Sequence, residues 1–125
     1  MLLDSTTFVD FLRGYKPATA AFEKSLYGQS ASVMTKLELV IGTIKKREIS
    51  NIEKVFDKFE IKIIPISEDI SKISEKILIK YHHSNGIGIR DSFIAATALV
   101  YDEELVTRNT KHFDFIPNLK LFTPY

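Results

Sequence analysis

The chain has 125 residues, 45% hydrophobic and 26% charged, with a formal net charge of +1 and no cysteine. That length supports one core and one domain, residues 1–125, and the near-neutral charge excludes a global field drawing the molecule onto nucleic acid. The absence of cysteine excludes disulfides, thiolate metal sites and a cysteine nucleophile, and no stretch is apolar for long enough to span a membrane.

The opening run MLLD predicts a first strand that stops at Asp4. MLLDSTTFVDFL lacks the basic end and small-residue cleavage site of a signal peptide, so the expected location is the cytoplasm. TTFVDFLRG predicts a short helix ended by Gly14. ATAAFEKSLYG predicts a second, with Ala18, Ala21, Phe22 and Ser25 on one side and Gly28 as its stop. Residues 30–34 form a candidate second strand. Residues 35–46 predict a helix with Leu37, Ile41 and Ile44 facing inward and lysines at its end. Ile49, Ile52, Val55, Phe56 and Phe59 mark another amphipathic helix. Residues 62–66 predict a third strand, which Pro65 places at an edge or ends early. Ile70, Ile73, Ile77 and Tyr81 mark a longer helix, capped by Ser67 and ended by Asn85-Gly86. GIRDSFIAATAL, residues 88–99, predicts a helix packed through small residues. ELVT and LKLF predict a fourth and a last strand.

Strands alternating with helices predict an α/β fold, with three α/β/α layers around a mainly parallel sheet of four to five strands. Such sheets place their sites beyond the carboxyl ends of the strands. That rule picks out Asp4 after the first strand, and Thr107, Arg108 and Asn109 after the fourth.

Three carboxylates recur in one setting. Asp4 ends an apolar strand. Glu38 lies early in a helix, on the edge of its apolar face beside Met34 and Ile41. Asp91 shares a helix face with Ile94, Ala95 and Ala98. Each alone reads as a cap or a solvated helix former. Together they point to one site, because clustered acids repel one another unless a cation joins them. Hard divalent ions such as Mg2+ or Mn2+ take oxygen ligands of this kind. Two other signals carry less. Gly86-Ile87-Gly88 follows a helix without the Gly-Lys-Ser/Thr of a phosphate loop. The adjacent His82 and His83 lie about 100° apart on a helix and do not converge.

LLDSTTFVDFLRG, the Glu of TKLELV, GIRDSFIAATAL and LVTRNTKHFDFI, in that order, resemble the PIN domain. The resemblance runs essentially end to end, IPNLKLFTP included, and is narrower to the VapC-type ribonuclease toxins of prokaryotic toxin–antitoxin pairs. It implies a Mg2+- or Mn2+-dependent endoribonuclease acting on RNA. The family's acids fall on Asp4, Glu38 and Asp91, its supporting hydroxyl on Thr6, and its fourth catalytic position on Asn109, where the family often has Asp. Asp4 and Asp91 are the expected direct metal ligands, with Glu38 completing the shell or orienting water. Arg90, Arg108 and Lys36, beside the motifs, are candidates for flanking RNA phosphates. The resemblance also implies a cognate antitoxin and a homodimer. Of the apolar and aromatic set Phe8, Phe11, Leu12, Phe22, Leu26, Tyr27, Val55, Phe56 and Phe59, Phe8 and Phe22 are expected in the core and part of the rest is expected to stay exposed for such partners. A catalytically weak PIN-fold module that binds RNA or protein is the alternative that Asn109 favours.

Overall fold

In a computed structural model of the chain, which describes all of residues 1–125, Leu2 and Leu3 are both fully buried. Side chains alternate across a strand, so burial of both means that both faces of the sheet are covered, as in parallel sheets. The strands are β1 (Leu2–Leu3), β2 (Ser30–Ser32), β3 (Lys62–Ile64), β4 (Leu105–Val106) and β5 (Leu121–Phe122). The helices are α1 (Ser5–Leu12), α2 (Lys16–Glu23), α3 (Val33–Ile41), α4 (Ile49–Lys58), α5 (Glu68–Asn85) and α6 (Ile89–Val100). The strands lie in the order β3-β2-β1-β4-β5, all parallel. The expected three-layer α/β/α architecture is therefore present, with a sheet of five strands. No helix is long and apolar enough to cross a membrane.

The sheet divides the core in two. Leu2 and Leu105 pack with Ile70, Ile77 and Ile94 of α5 and α6. Leu3 and Val106 pack on the other face with Phe8, Phe22, Leu39 and Phe56 of α1 to α4. The second half is aromatic at its centre. Phe8 stacks on Phe56 at 4.8 Å between ring centroids, while Phe11 meets Phe22 and Phe59 edge-on. Most of the aromatic set expected at a partner surface is thus core. Among its members only Leu12 and Tyr27 are exposed, and Phe11 is half-buried.

Element ends follow local chemistry. β2 stops two residues early because Ser32 turns to cap α3, its Oγ accepting from the Met34 N–H at 3.1 Å. β3 lies at the sheet edge and ends before Pro65, which has no N–H for a ladder. Ser67 caps α5 through the Ile70 N–H, and Gly86 closes it in the left-handed region at φ 72°. α2 ends at Glu23, short of Gly28, so Ser25 stands outside it and exposed.

One expected face is wrong. Leu37, Ile41 and Ile44 are 50%, 83% and 91% exposed, and the buried residues of α3 are Thr35 and Leu39. Positions 35 and 39 lie one turn apart on a face nearly opposite Leu37. α3 carries apolar residues on both sides, and period alone does not say which side meets the sheet. The helix also stops at Gly42, leaving Ile44 beyond it.

Phe8 anchors the aromatic half through its contacts with Phe22 and Phe56. Phe8→Ala is expected to lower unfolding stability by about 3–5 kcal/mol in denaturant titrations, the range for truncating a buried aromatic.

Candidate active site

β1 is the central strand and the order reverses beside it: the chain runs outward through β2 and β3, then returns to β4 on the other side. The carboxyl ends of β1 and β4 therefore form the crevice where open α/β sheets bind ligands. Leu3 pairs with Val106, so the next residues, Asp4 and Thr107, come out side by side. Both are buried. Asp4 caps α1, its Oδ1 accepting from the Ser5 N–H at 2.8 Å. Its Oδ2 accepts from the Thr107 hydroxyl at 2.8 Å. Thr107 Oγ1 in turn accepts from the Asn109 N–H at 3.0 Å. Thr6 ties the same two segments together, accepting from the Arg108 N–H at 3.2 Å.

Glu38 reaches this crevice from α3 and Asp91 from the first turn of α6. Burial pushes the Asp4 carboxyl above its ordinary range, against the lowering effect of the bonds from Thr107 and Ser5. The charges of Asp91 and Glu38 push it further in the same direction. Three elements thus bring the three acids within electrostatic range of one another.

Arg90 bridges two of them. Its Nη1 is 2.8 Å from Glu38 Oε1 and its Nε is 3.5 Å from Asp91 Oδ1. The second Glu38 oxygen, Oε2, is buried without a hydrogen-bond partner. His112 Nδ1 stands 3.4 Å from Asp91 Oδ2. As the side chains stand, no three acids or imidazoles of the chain are grouped to hold one metal ion. The donor set nevertheless suits a hard cation: all three are carboxylates, and one buried oxygen lacks a partner.

The other candidates are placed differently. Asn109 is exposed and contributes its backbone N–H rather than its amide to the bonding around Thr107. Lys36 pairs with Glu53 at 2.9 Å and lies over the Phe56 ring. Arg108 pairs with Asp10 at 3.1 Å, and its guanidinium lies 5.5 Å and 5.1 Å from the Tyr15 and Tyr125 rings. Tyr125 donates its hydroxyl to the same Asp10 oxygen at 2.8 Å, and burial with that bond raises its phenol.

Two contacts of the site have no signature in the sequence. Thr107 follows β4, and only parallel register puts it level with Asp4. His112 had no spacing signal, because its proximity to Asp91 depends on how the segment after β4 folds back as a 3₁₀ turn over Thr110–His112.

A family model for the PIN domain matches residues 1–117. The chain is 35% identical over 124 residues to Ribonuclease VapC19 of Mycobacterium tuberculosis, covering 95% of this chain and 96% of that one. It is 30% identical over 132 residues to Ribonuclease VapC of Rickettsia bellii, covering 98% and 95%. A toxin–antitoxin complex from Klebsiella pneumoniae contains a chain that superimposes with a TM-score of 0.80 at 31% identity, covering 99% of this chain and 97% of that one.

The raised Asp4 carboxyl has a definite sign in stability. A group whose folded pKa exceeds its unfolded value stabilises the fold below the unfolded pKa, and that contribution is lost as pH rises through the folded pKa. In EDTA, Asp4 is therefore expected to destabilise the protein at neutral pH. Asp4→Asn should raise the melting temperature at pH 7, and the gain should shrink as pH falls toward the ordinary carboxylate value of 3.8. Thermal unfolding of both proteins across that pH range checks it.

Proposed function

The chain belongs to the PIN-domain family, and we propose on that premise that it is a divalent-metal-dependent endoribonuclease, the toxin of a toxin–antitoxin pair, with Asp4, Glu38 and Asp91 at its centre. The observation that carries the site is the meeting of three carboxylates from three elements at the switch point of the sheet, with Asp4 raised partly by the other two.

Asp4 and Asp91 would hold the ion, Mg2+ or Mn2+, and Glu38 would complete the set or orient the attacking water. When bound, the ion offsets the charge building on the phosphoryl oxygens and makes that water a stronger acid. Thr107 keeps the Asp4 carboxylate in one orientation through its hydroxyl. Thr6 plays the same part for the backbone at Arg108. Asn109 supplies an amide in place of a charge at the fourth catalytic position, so the site relies on three acids. The RNA phosphates flanking the scissile bond fall to Arg90 and Arg108, while Lys36 is engaged by Glu53 away from the crevice.

The antitoxin has a surface to match. A cleft of about 540 Å³ runs from Glu38 past Arg13, Leu12, Leu39 and Ile41. It joins Leu12 and Ile41, which the core leaves out, to the acidic centre. A partner segment laid along it buries Leu12 and Ile41 and brings a basic residue to the carboxylates, neutralising them by charge-assisted bonds. A homodimer and a cytoplasmic location complete the reading.

Two experiments test these parts separately. Asp4→Asn and Asp91→Asn are each expected to cut RNA cleavage more than about 100-fold, beyond the usual effect of losing an outer-shell partner. Wild-type protein that cleaves equally well in EDTA overturns the metal-dependent mechanism. Ile41→Asp should leave cleavage intact and weaken binding of the co-expressed antitoxin by about tenfold or more, the loss typical of an interface anchor; unchanged binding in a titration rejects the cleft as the docking surface.

A further inference from the structure

Arg90 is placed where a cation is ordinarily unwelcome. It is the second residue of α6, at the positive end of a helix dipole, where acids are stabilised and bases are not. What holds it there is the pair of acids: its guanidinium touches Glu38 at 2.8 Å and Asp91 at 3.5 Å. These are the acids that the proposed function assigns to the divalent ion. While the guanidinium holds these two carboxylates, its charge opposes a second cation bound to the same pair. The guanidinium also leaves the demand incomplete, since Glu38 Oε2 remains buried without a partner. Its side chain is 46% exposed, so a short rotation of a long, flexible stem carries it to water without disturbing the core.

We infer that Arg90 is a displaceable counter-ion of the acidic site: it neutralises Glu38 and Asp91 when no divalent ion is bound, and must leave them for the ion to enter. This rests on the assignment of Glu38 and Asp91 to the metal. Metal loading and release of Arg90 are then one coupled equilibrium. The apparent metal affinity is lowered by the fraction of molecules in which the guanidinium holds the acids. Arg90 is in this sense a positioning residue, setting the metal concentration at which the site is assembled. His112, the other group beside Asp91, stands on its far oxygen and does not reach Glu38 in the same way.

The test is a calorimetric titration of Mn2+ into the full chain, wild type against Arg90→Gln, with melting temperatures in EDTA and in Mn2+. Arg90→Gln is expected to bind Mn2+ about fivefold or more tightly, the lower end of ordinary coupling between two sites. It should also melt lower in EDTA, where the acids lose their counter-charge, and gain more on adding Mn2+. Arg90→Lys keeps the charge with a single-point donor, so it is expected to fall between the two; it carries the test if Arg90→Gln does not fold. Equal or weaker Mn2+ binding by the variant overturns the inference. Asp91→Asn in the same titration separates the two ideas. If it abolishes Mn2+ binding while the Arg90 variants match wild type, the counter-ion role falls and the metal site stands. If wild type and Arg90→Gln both fail to bind Mn2+, both fall.

Discussion

A buried carboxylate at the end of the central strand is the constraint on which this molecule turns. Asp4 sits where the sheet has apolar layers on both sides, and burial there opposes its charge. The fold meets that cost with two directed bonds, one from the start of α1 and one from Thr107 across 103 positions of sequence. The second bond exists because β1 and β4 are parallel neighbours in a register that brings their ends level. The same bond therefore satisfies the charge, orients the carboxylate and joins the two segments that frame the crevice.

Around Asp4 the acids outnumber the cations: three carboxylates face one guanidinium and one imidazole. Arg90 and His112 lean on Glu38 and Asp91, yet Glu38 keeps one buried oxygen without a partner. The repulsion among the acids and the unmet acceptor both remain as costs of this arrangement. At the rim, Arg108 is held by Asp10 and two tyrosine rings, so its position is set before any ligand arrives. Those contacts also anchor the last residue, Tyr125, to α1 through Asp10.

The outer surface of α3 has a different logic. Leu37 and Ile41 face water while Thr35 and Leu39 face the sheet. Glu38, adjacent to Leu39, is carried toward the crevice by the same rotation that leaves Ile41 outside. One helix thus supplies an acid to the site and an apolar lip to the cleft beside it.

Much of the architecture was legible in the residue pattern. Short apolar runs alternating with amphipathic segments specify parallel strands and covering helices, because each must bury its apolar face on another element. The acids Asp4, Glu38 and Asp91 stood out because each sits on or beside an apolar face, and a chain does not place carboxylates there without a compensating interaction. Caps at Ser67 and Gly86 and the edge position of the Pro65 strand followed from backbone chemistry that acts within a few residues. Tertiary structure alone decided the rest. Whether Leu37 or Leu39 turns inward depends on what α3 packs against, since both sides of that helix are apolar. Arg90 lies next to Asp91 in sequence, but its bond to Glu38 exists only because α3 and α6 converge on one strand end. Thr107 meets Asp4 only through strand register. Local patterns fix what each segment prefers to bury; the partners of its polar groups are set by contacts between segments far apart in the chain.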